Sequence, residues 1–133
     1  MFEHLPNPFQ SANEIFRVLK PGGKVLIDTG FMVPFHADPD HYFNMTIEGL
    51  RKVMERFEII QLFVQPYMMP SDGLVLQIDT VLPLMRAGVW RERLQTLLDD
   101  LRREGRELDR DLGLLGQRMI AAGVSVIARK PVC

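Results

Sequence analysis

This sequence lacks the features that would place it at once in a specialised class of protein. It has a single cysteine, Cys133, so an internal disulfide is excluded, and we expect a reducing, cytoplasmic location. Its 16 basic and 17 acidic residues leave a formal net charge of −1, without the basic surplus of a nucleic-acid-binding domain. No basic segment followed by an apolar core opens the chain, so we expect no signal peptide.

Long hydrophobic runs are also missing. The longest apolar stretch, residues 74–85, is interrupted by Gln77, Asp79 and Pro83 and is too short to cross a bilayer, so we expect no membrane span. What remains is an ordinary globular composition, with 47% hydrophobic and 25% charged residues. At 133 residues, the chain is long enough for one domain with a buried core.

Two segments have the periodicity of amphipathic helices. Asn7 caps the first, Pro8 begins it, and the Lys-Pro-Gly-Gly sequence of residues 20–23 ends it. Thr46 caps the second. The apolar residues that recur at three- and four-residue spacing are Phe9, Ala12, Ile15, Phe16 and Leu19 in the first helix, and Leu50, Val53, Met54 and Phe57 in the second.

Three segments are predicted to be strands: residues 24–28, with burial on both faces, residues 58–65, and residues 123–130. Between the last two, Ser71 is expected to cap an apolar helix that runs to about Leu82, and a charged amphipathic helix follows from about residue 89. The apolar stripe of this second helix comprises Trp90, Leu94, Leu97, Leu98, Leu101, Leu108, Leu112, Leu115 and Met119. Such a stripe either packs on its own domain, which we favour, or pairs with a partner helix.

Two motifs at the start of the chain belong together. Residues 3–8 read Glu-His-Leu-Pro-Asn-Pro, and residues 15–23 read Ile-Phe-Arg-Val-Leu-Lys-Pro-Gly-Gly. This order resembles the middle of a class I S-adenosylmethionine-dependent methyltransferase of the type 11 kind. In that family the first motif leaves the fourth strand, and the second ends the helix before the fifth strand.

A third motif follows the predicted strand at residues 24–28. Residues 34–46 and 49–51 resemble a Pro-x-His-x-x-Pro-x-Asp-Tyr-x-Arg-x-Thr-x-x-Gly-Leu segment found in a subset of these enzymes, several of which accompany glycan and surface-polysaccharide assembly. His41 stands where the pattern has Asp, and Asn44 where it has Arg. If the Asp and the Arg of the pattern help to hold the substrate or the loop, this chain lacks both of those charges at positions 41 and 44.

The resemblance implies an α/β fold: the C-terminal half of a Rossmann-like, doubly wound methyltransferase sheet with a helical insertion before the last strand. The 133 residues would form a partial methyltransferase domain. Residues 1–65 would be its core, residues 66–122 the insertion and residues 123–133 the last strand, antiparallel to the strand before it. The strand at residues 24–28 would lie between the family's fourth strand and its last. With the fourth strand missing or reduced to a residue or two, a free edge would remain, through which the chain is expected to form homo-oligomers.

The implied cofactor is S-adenosylmethionine, and the resemblance sets Glu3, His4 and Leu5 beside its methionine end. The family cradles that part of the cofactor in a glycine-rich turn, yet no Gly-x-Gly-x-Gly occurs in these 133 residues. Most of the cofactor's polar groups would therefore lack partners. We expect weak cofactor binding, or none, from this chain alone.

The resemblance implies that Glu3 and His4 follow the family's fourth strand, and Asp28, Thr29 and Gly30 end the next strand. Doubly wound sheets bind ligands at the carboxyl ends of such strands. His4 is the candidate general base, since imidazole changes protonation near neutral pH. The candidate substrate-binding residues are Glu3, Asp28, Thr29, Gly30, His36 and Tyr42. The alternative for all of them is a structural role in turns and surface loops.

His36, Asp38, Asp40 and His41 have the residue types of a metal site. A structural zinc site usually needs four well-placed ligands, and no cysteine contributes here, so we expect no metal and interpret the segment as an acceptor-recognition loop.

The sequence therefore leaves two hypotheses for the function. The first is the C-terminal part of an S-adenosylmethionine-dependent methyltransferase acting on a small-molecule acceptor, with sugar or glycan favoured. The second is a non-catalytic remnant that serves interaction or assembly.

Overall fold

The computed structural model describes residues 1–37 and 40–132, which form an α/β fold of four helices and three strands. The α/β class expected from the sequence is confirmed. After a 3₁₀ turn at Phe2–His4, the elements follow in this order: α1 (Pro8–Val18), β1 (Lys24–Gly30), α2 (Ile47–Val53), β2 (Glu58–Phe63), α3 (Pro70–Val81), a second 3₁₀ turn (Leu82–Leu84), α4 (Val89–Ile120) and β3 (Gly123–Arg129).

The three strands form one sheet in the order β1-β3-β2. β3 is antiparallel to both neighbours, which confirms the expected antiparallel pairing of the last two strands. β1 and β2 run in the same direction, but β3 separates them, so these strands make no parallel pair with one another. In the β1–β3 ladder, Lys24 faces Arg129 and Gly30 faces Gly123.

The main core lies between this sheet and the first two helices. Its buried apolar side chains come from the 3₁₀ turn, α1, β1, α2 and β3, and they include Phe2, Ala12, Ile27, Leu50, Val53, Met54, Phe57, Val124, Val126 and Ala128. The expectation that β1 is buried on both faces is wrong, because Leu26 is 54% exposed while Ile27 beside it is buried. The alternation arises because the helices that contribute to this core cover only one side of β1.

The predicted caps of α1 and α2 are confirmed. The Asn7 side chain accepts a hydrogen bond from the backbone N–H of Gln10 at 3.0 Å, and the Thr46 hydroxyl accepts one from Gly49 at 3.0 Å. The Ser71 cap is wrong, since α3 begins at Pro70 and Ser71 lies inside its first turn.

The helices α3 and α4 pack on each other around a second, smaller core of Ile78, Leu82 and Leu98. Only part of the predicted apolar stripe of α4 belongs to this core. Leu98 is buried in it, whereas Trp90 and Met119 are more than 60% exposed. Gly113, with φ +61°, breaks α4 near its end, since this backbone conformation is unfavourable for residues with a side chain. No helix in the described part of the chain is both long enough and apolar enough to span a membrane.

A buried carboxylate joins α3 to α4. Asp109, 3% exposed, accepts hydrogen bonds from the Ser71 backbone N–H at 2.9 Å and from the Ser71 hydroxyl at 2.6 Å. It therefore caps the N-terminus of α3 from another helix, and Arg106 adds a charged contact at 3.0 Å. Gly105 permits this approach, because a Cβ there would lie 2.7 Å from the Ser71 Cβ.

We predict that Asp109→Ala lowers the free energy of unfolding by about 1–3 kcal/mol, because two buried donors of Ser71 lose their acceptor. Urea unfolding followed by circular dichroism measures this change. The control is Asp111→Ala, an exposed position on the same helix, with an expected change within about 0.5 kcal/mol. Equal losses in the two variants would contradict the capping role of Asp109.

Candidate functional site

A cleft of about 370 Å³ opens at the carboxyl end of β1. Because β3 is antiparallel to β1, the first residue of β3, Gly123, lies beside the last residue of β1, Gly30, at this same end. The cleft is mostly apolar, and its lining residues are Glu3, Gly30, Val33, Pro34, Phe35, His36, Tyr67, Met68, Leu76, Thr80, Ala122 and Gly123. Its size is at the lower end of the range of small-molecule sites.

Glu3 is the buried acid of this cleft, 8% exposed. Its Oε2 accepts a hydrogen bond from the Thr29 hydroxyl at 2.9 Å and another from the Met1 amino group. Burial by itself would raise the pKa of the Glu3 carboxyl. The hydrogen bonds from the Met1 amino group, the Glu3 backbone N–H and the Thr29 hydroxyl outweigh burial and lower this pKa from 4.5 to about 2. Glu3 is therefore a carboxylate at neutral pH.

His4 is held in one tautomer beside Glu3. Its Nδ1 lies 2.6 Å from the carbonyl oxygen of Asp40, and because a carbonyl only accepts, Nδ1 carries the hydrogen. In the neutral ring, Nε2 therefore has a free lone pair, and it lies 3.8 Å from Glu3 Oε1.

The three histidines of the sequence lie close together; His36 lines the cleft, whereas His4 and His41 lie beside it and are not among its lining residues. The ring centroid of His36 lies 4.9 Å from that of His4 and 4.4 Å from that of His41. His36 donates from Nδ1 to the carbonyl oxygen of Pro34 at 3.0 Å, so its Nε2 is also free in the neutral ring. His41 differs, because its Nδ1 accepts from the His36 backbone N–H at 3.1 Å.

The two positions that depart from the family pattern contact each other. His41 Nε2 donates to Asn44 Oδ1 at 2.7 Å, and Asn44 Nδ2 donates to the carbonyl oxygen of Val33 at 3.1 Å. A neutral hydrogen bond therefore holds the loop at the positions where the pattern has one acidic and one basic residue.

Asp28 makes contacts away from the histidines. Its carboxylate accepts hydrogen bonds from the Ser125 hydroxyl at 2.5 Å and the Tyr67 hydroxyl at 2.9 Å. The hydrogen bond to Asp28 raises the pKa of the Tyr67 phenol above its ordinary value. Asp28 thus reaches the cleft through Tyr67, which lines it.

The predicted site residues differ in whether they line the cleft. Glu3, Gly30 and His36 line the cleft, and Thr29 lies fully buried beneath Glu3. Tyr42 does not line the cleft; its backbone N–H donates to the carbonyl oxygen of Glu3 at 2.7 Å, and its hydroxyl donates to Asp40.

Sequence reasoning missed the wall of the cleft that residues 66–122 supply. Tyr67, Met68, Leu76, Thr80 and Ala122 all belong to this segment, which the family motifs do not cover. No local pattern marks them, because the turn before α3, α3 itself and the residue before β3 are brought to the cleft only by the tertiary fold.

The metal-ligating residue types that the structure brings together differ from the four noted in the sequence, for which no metal was expected. Asp38 lies outside the described residues, and both ring nitrogens of His41 are engaged by the loop itself. The group that does form among the described residues joins Glu3, His4 and His36, with one donor atom of each lying within 4.8 Å of the others.

Of the residues expected beside S-adenosylmethionine, Glu3 lines the cleft and Leu5 does not. The Leu5 side chain packs against the main core, and one oxygen of the Glu3 carboxylate is engaged by Thr29.

We predict that Thr29→Val lowers the free energy of unfolding by about 1–3 kcal/mol, because the buried Glu3 carboxylate loses a hydrogen-bond donor while the side-chain volume is kept. Thermal and urea unfolding at neutral pH measure the change. The control is Thr96→Val, at an exposed position of α4 where the hydroxyl only bonds a carbonyl of its own helix. If the two variants are equally stable, Thr29 does not hold Glu3.

No protein-family model matches this chain, and no curated protein is significantly similar to it. The resemblance to methyltransferases therefore depends on the ordered motifs of residues 1–65. The geometry of the cleft is the independent basis for a function.

Proposed function

We propose that this chain is the C-terminal, acceptor-binding part of an S-adenosylmethionine-dependent methyltransferase. The acceptor is a small molecule with a hydroxyl group, and the His-x-x-Pro sequence at residues 36–39 favours a sugar or glycan. The 133 residues supply the acceptor side of the site, and the main cofactor motif is not among them.

The observation that carries this proposal is the strand order β1-β3-β2, with β3 antiparallel to both neighbours. The family resemblance implies that arrangement, with the last strand beside the fifth strand and antiparallel to the sixth. The Met1 amino nitrogen also donates to the carbonyl oxygen of Asp28 at 2.9 Å, so residue 1 lies against β1 on the side away from β3. A fourth strand that leads into Glu3 would lie on that side.

The chemistry assigned to the cleft is acceptor positioning and proton removal. The free Nε2 of His4 can accept the hydroxyl proton, and the Glu3 carboxylate at 3.8 Å stabilises the charge that the imidazole then carries. The apolar lining from Val33, Met68 and Leu76 excludes water from the acceptor. S-adenosylmethionine, when bound, supplies the methyl group.

The coding sequence directly upstream of the Met1 codon gives the first test. We expect an in-frame segment with a glycine-rich turn after a strand, and we expect the extended protein to transfer labelled methyl groups to a sugar acceptor. Titration calorimetry of the 133-residue chain alone is expected to show weak or no S-adenosylmethionine binding. A stoichiometric micromolar site on this chain would contradict the assignment of the cofactor site to another segment, and an upstream region without the motif would contradict the proposed function.

In the extended protein, we predict that His4→Gln lowers kcat by about 10²-fold or more, because the hydroxyl proton loses its acceptor. Steady-state kinetics and the melting temperature are measured together. Gln10→Ala, at an exposed position of α1, is the control and is expected to leave kcat unchanged. Unchanged turnover of His4→Gln would assign His4 to shaping the loop.

A second candidate function is an assembly module, which the open edges of the sheet favour. Within the described residues, β1 and β2 each pair with β3 alone, and both carry an exposed apolar side chain, Leu26 and Ile60. Such edges are templates for another strand.

We predict that the 133-residue chain self-associates through the β1 edge away from β3, along the part before Asp28, since the carbonyl oxygens of Asp28 and Gly30 already accept from Met1 and Met45. Sedimentation velocity at several concentrations is expected to show dimers or larger species, and Leu26→Lys is expected to shift them toward monomer, because charge on an edge strand opposes pairing. Val18→Lys, an exposed apolar position on α1, is the matched control. A monodisperse wild-type monomer at tens of micromolar would contradict this prediction.

A further inference from the structure

We propose that Glu3, His4 and His36 form a binding site for a divalent transition-metal ion of the Zn²⁺ type. One donor atom from each residue lies within 4.8 Å of the other two. Two imidazoles and one carboxylate are a donor set that binds zinc and non-haem iron in proteins, with three protein ligands and an open position.

The strongest support is the orientation of the two imidazoles. His4 and His36 each direct Nδ1–H to a backbone carbonyl oxygen, of Asp40 at 2.6 Å and of Pro34 at 3.0 Å. This is the arrangement typical of metal-bound histidines, because it fixes the tautomer and leaves the Nε2 lone pair for the ion.

The Glu3 carboxylate is also held in position to bind an ion. Thr29 donates to Oε2 of Glu3, and Oε1 faces His4 Nε2 at 3.8 Å. The Glu3 carboxylate also supplies a negative charge that offsets part of the charge of the ion.

The distances require a small closure on binding. In a tetrahedral site with bonds of about 2.1 Å, donor atoms lie about 3.4 Å apart, so a donor at the 4.8 Å limit must move by up to about 1.4 Å. His36 can supply that movement because it is exposed, whereas Glu3 is buried and fixed.

His41 lies close to the same group but is not a ligand. Its Nδ1 accepts from the backbone N–H of His36 and its Nε2 donates to Asn44, so neither nitrogen is free. This difference between neighbouring histidines distinguishes a metal site from an accidental cluster of imidazoles.

The open position of the ion would face the cleft, since Glu3 and His36 both line it. A water or a hydroxyl bound there would become more acidic, as at other zinc centres. The inference concerns ion binding alone and does not depend on methyl transfer.

The test uses the 133-residue chain, without a histidine tag and in a Cys133→Ser background, so that neither a tag nor the single thiol binds the ion. After treatment with EDTA, the protein is titrated calorimetrically with ZnCl₂ and, separately, with MgCl₂. We expect one Zn²⁺ per chain and much weaker binding of Mg²⁺, which prefers oxygen ligands. Histidine ring signals of residues 4 and 36 are expected to shift in the NMR spectrum on addition of Zn²⁺.

Three variants locate the site. We expect Glu3→Gln and His36→Ala each to weaken Zn²⁺ binding by at least about tenfold, and His41→Gln to keep it within about threefold. His36→Ala changes an exposed side chain, so circular dichroism is expected to show an unchanged fold. Absence of stoichiometric Zn²⁺ binding would overturn the proposal, as would an equal loss of affinity in His36→Ala and His41→Gln. Failure here would leave the upstream-sequence test of the methyltransferase function unaffected.

Discussion

The arrangement of the sheet depends on β3, the strand that reaches both neighbours. Its residues Val124, Val126 and Ala128 are fully buried, and its backbone hydrogen bonds satisfy β1 on one side and β2 on the other. Within the described chain, β3 is the strand that pairs with β1 and with β2. Without β3, the backbone N–H and C=O groups of these two strands would be left unpaired, which is costly where they are buried. β3, the last strand of the sequence, therefore joins two strands that lie much earlier in the chain.

The same antiparallel pairing creates the cleft. Since Gly123 faces Gly30, the chain that enters β3 meets the chain that leaves β1 at one end of the sheet. The backbone N–H of Phe31 donates to the carbonyl oxygen of Ala122 at 2.8 Å, and that of Ala122 donates to Met68 at 2.9 Å. The walls of the cleft thus come from segments far apart in sequence, joined by backbone hydrogen bonds.

Glu3 connects the fold to the chemistry proposed here. Its burial is tolerated because the Thr29 hydroxyl donates to it, and its other oxygen remains directed to His4. One preorganised carboxylate can stabilise a protonated imidazole or a bound cation. Proton removal by His4 and ion binding use the same lone pair, so with an ion bound the ion, and not His4, would activate a hydroxyl group.

Much of the fold could be predicted from sequence because its signals are local. Asn7 and Thr46 cap their helices by bonding N–H groups only three residues away. Of the predicted stripe of the second helix, Leu50 and Val53 are buried in α2, and Met54 and Phe57 are buried just beyond its end. The antiparallel pairing of the last two strands also follows the prediction, though the second strand ends at Phe63 instead of residue 65.

The site could be predicted only in part. Glu3, Gly30 and His36 were expected near a ligand because they follow strands or belong to a motif, and they do line the cleft. The contribution of Tyr67 and Met68 could not be found, because nothing in residues 66–122 shows which part of that segment folds back over the sheet.

The sequence by itself determined the starts of α1 and α2, part of each apolar face and the α/β class, because each depends on residues a few positions apart. Only the tertiary structure decided that Ser71 is bonded by Asp109, 38 residues later, and that Asp28 is bonded by Ser125, 97 residues later. It also decided which histidine nitrogens stay free, since the carbonyl oxygen that orients His4 belongs to Asp40, 36 residues away. The partners of polar side chains are set by packing between distant segments, and no periodicity in the sequence records that packing.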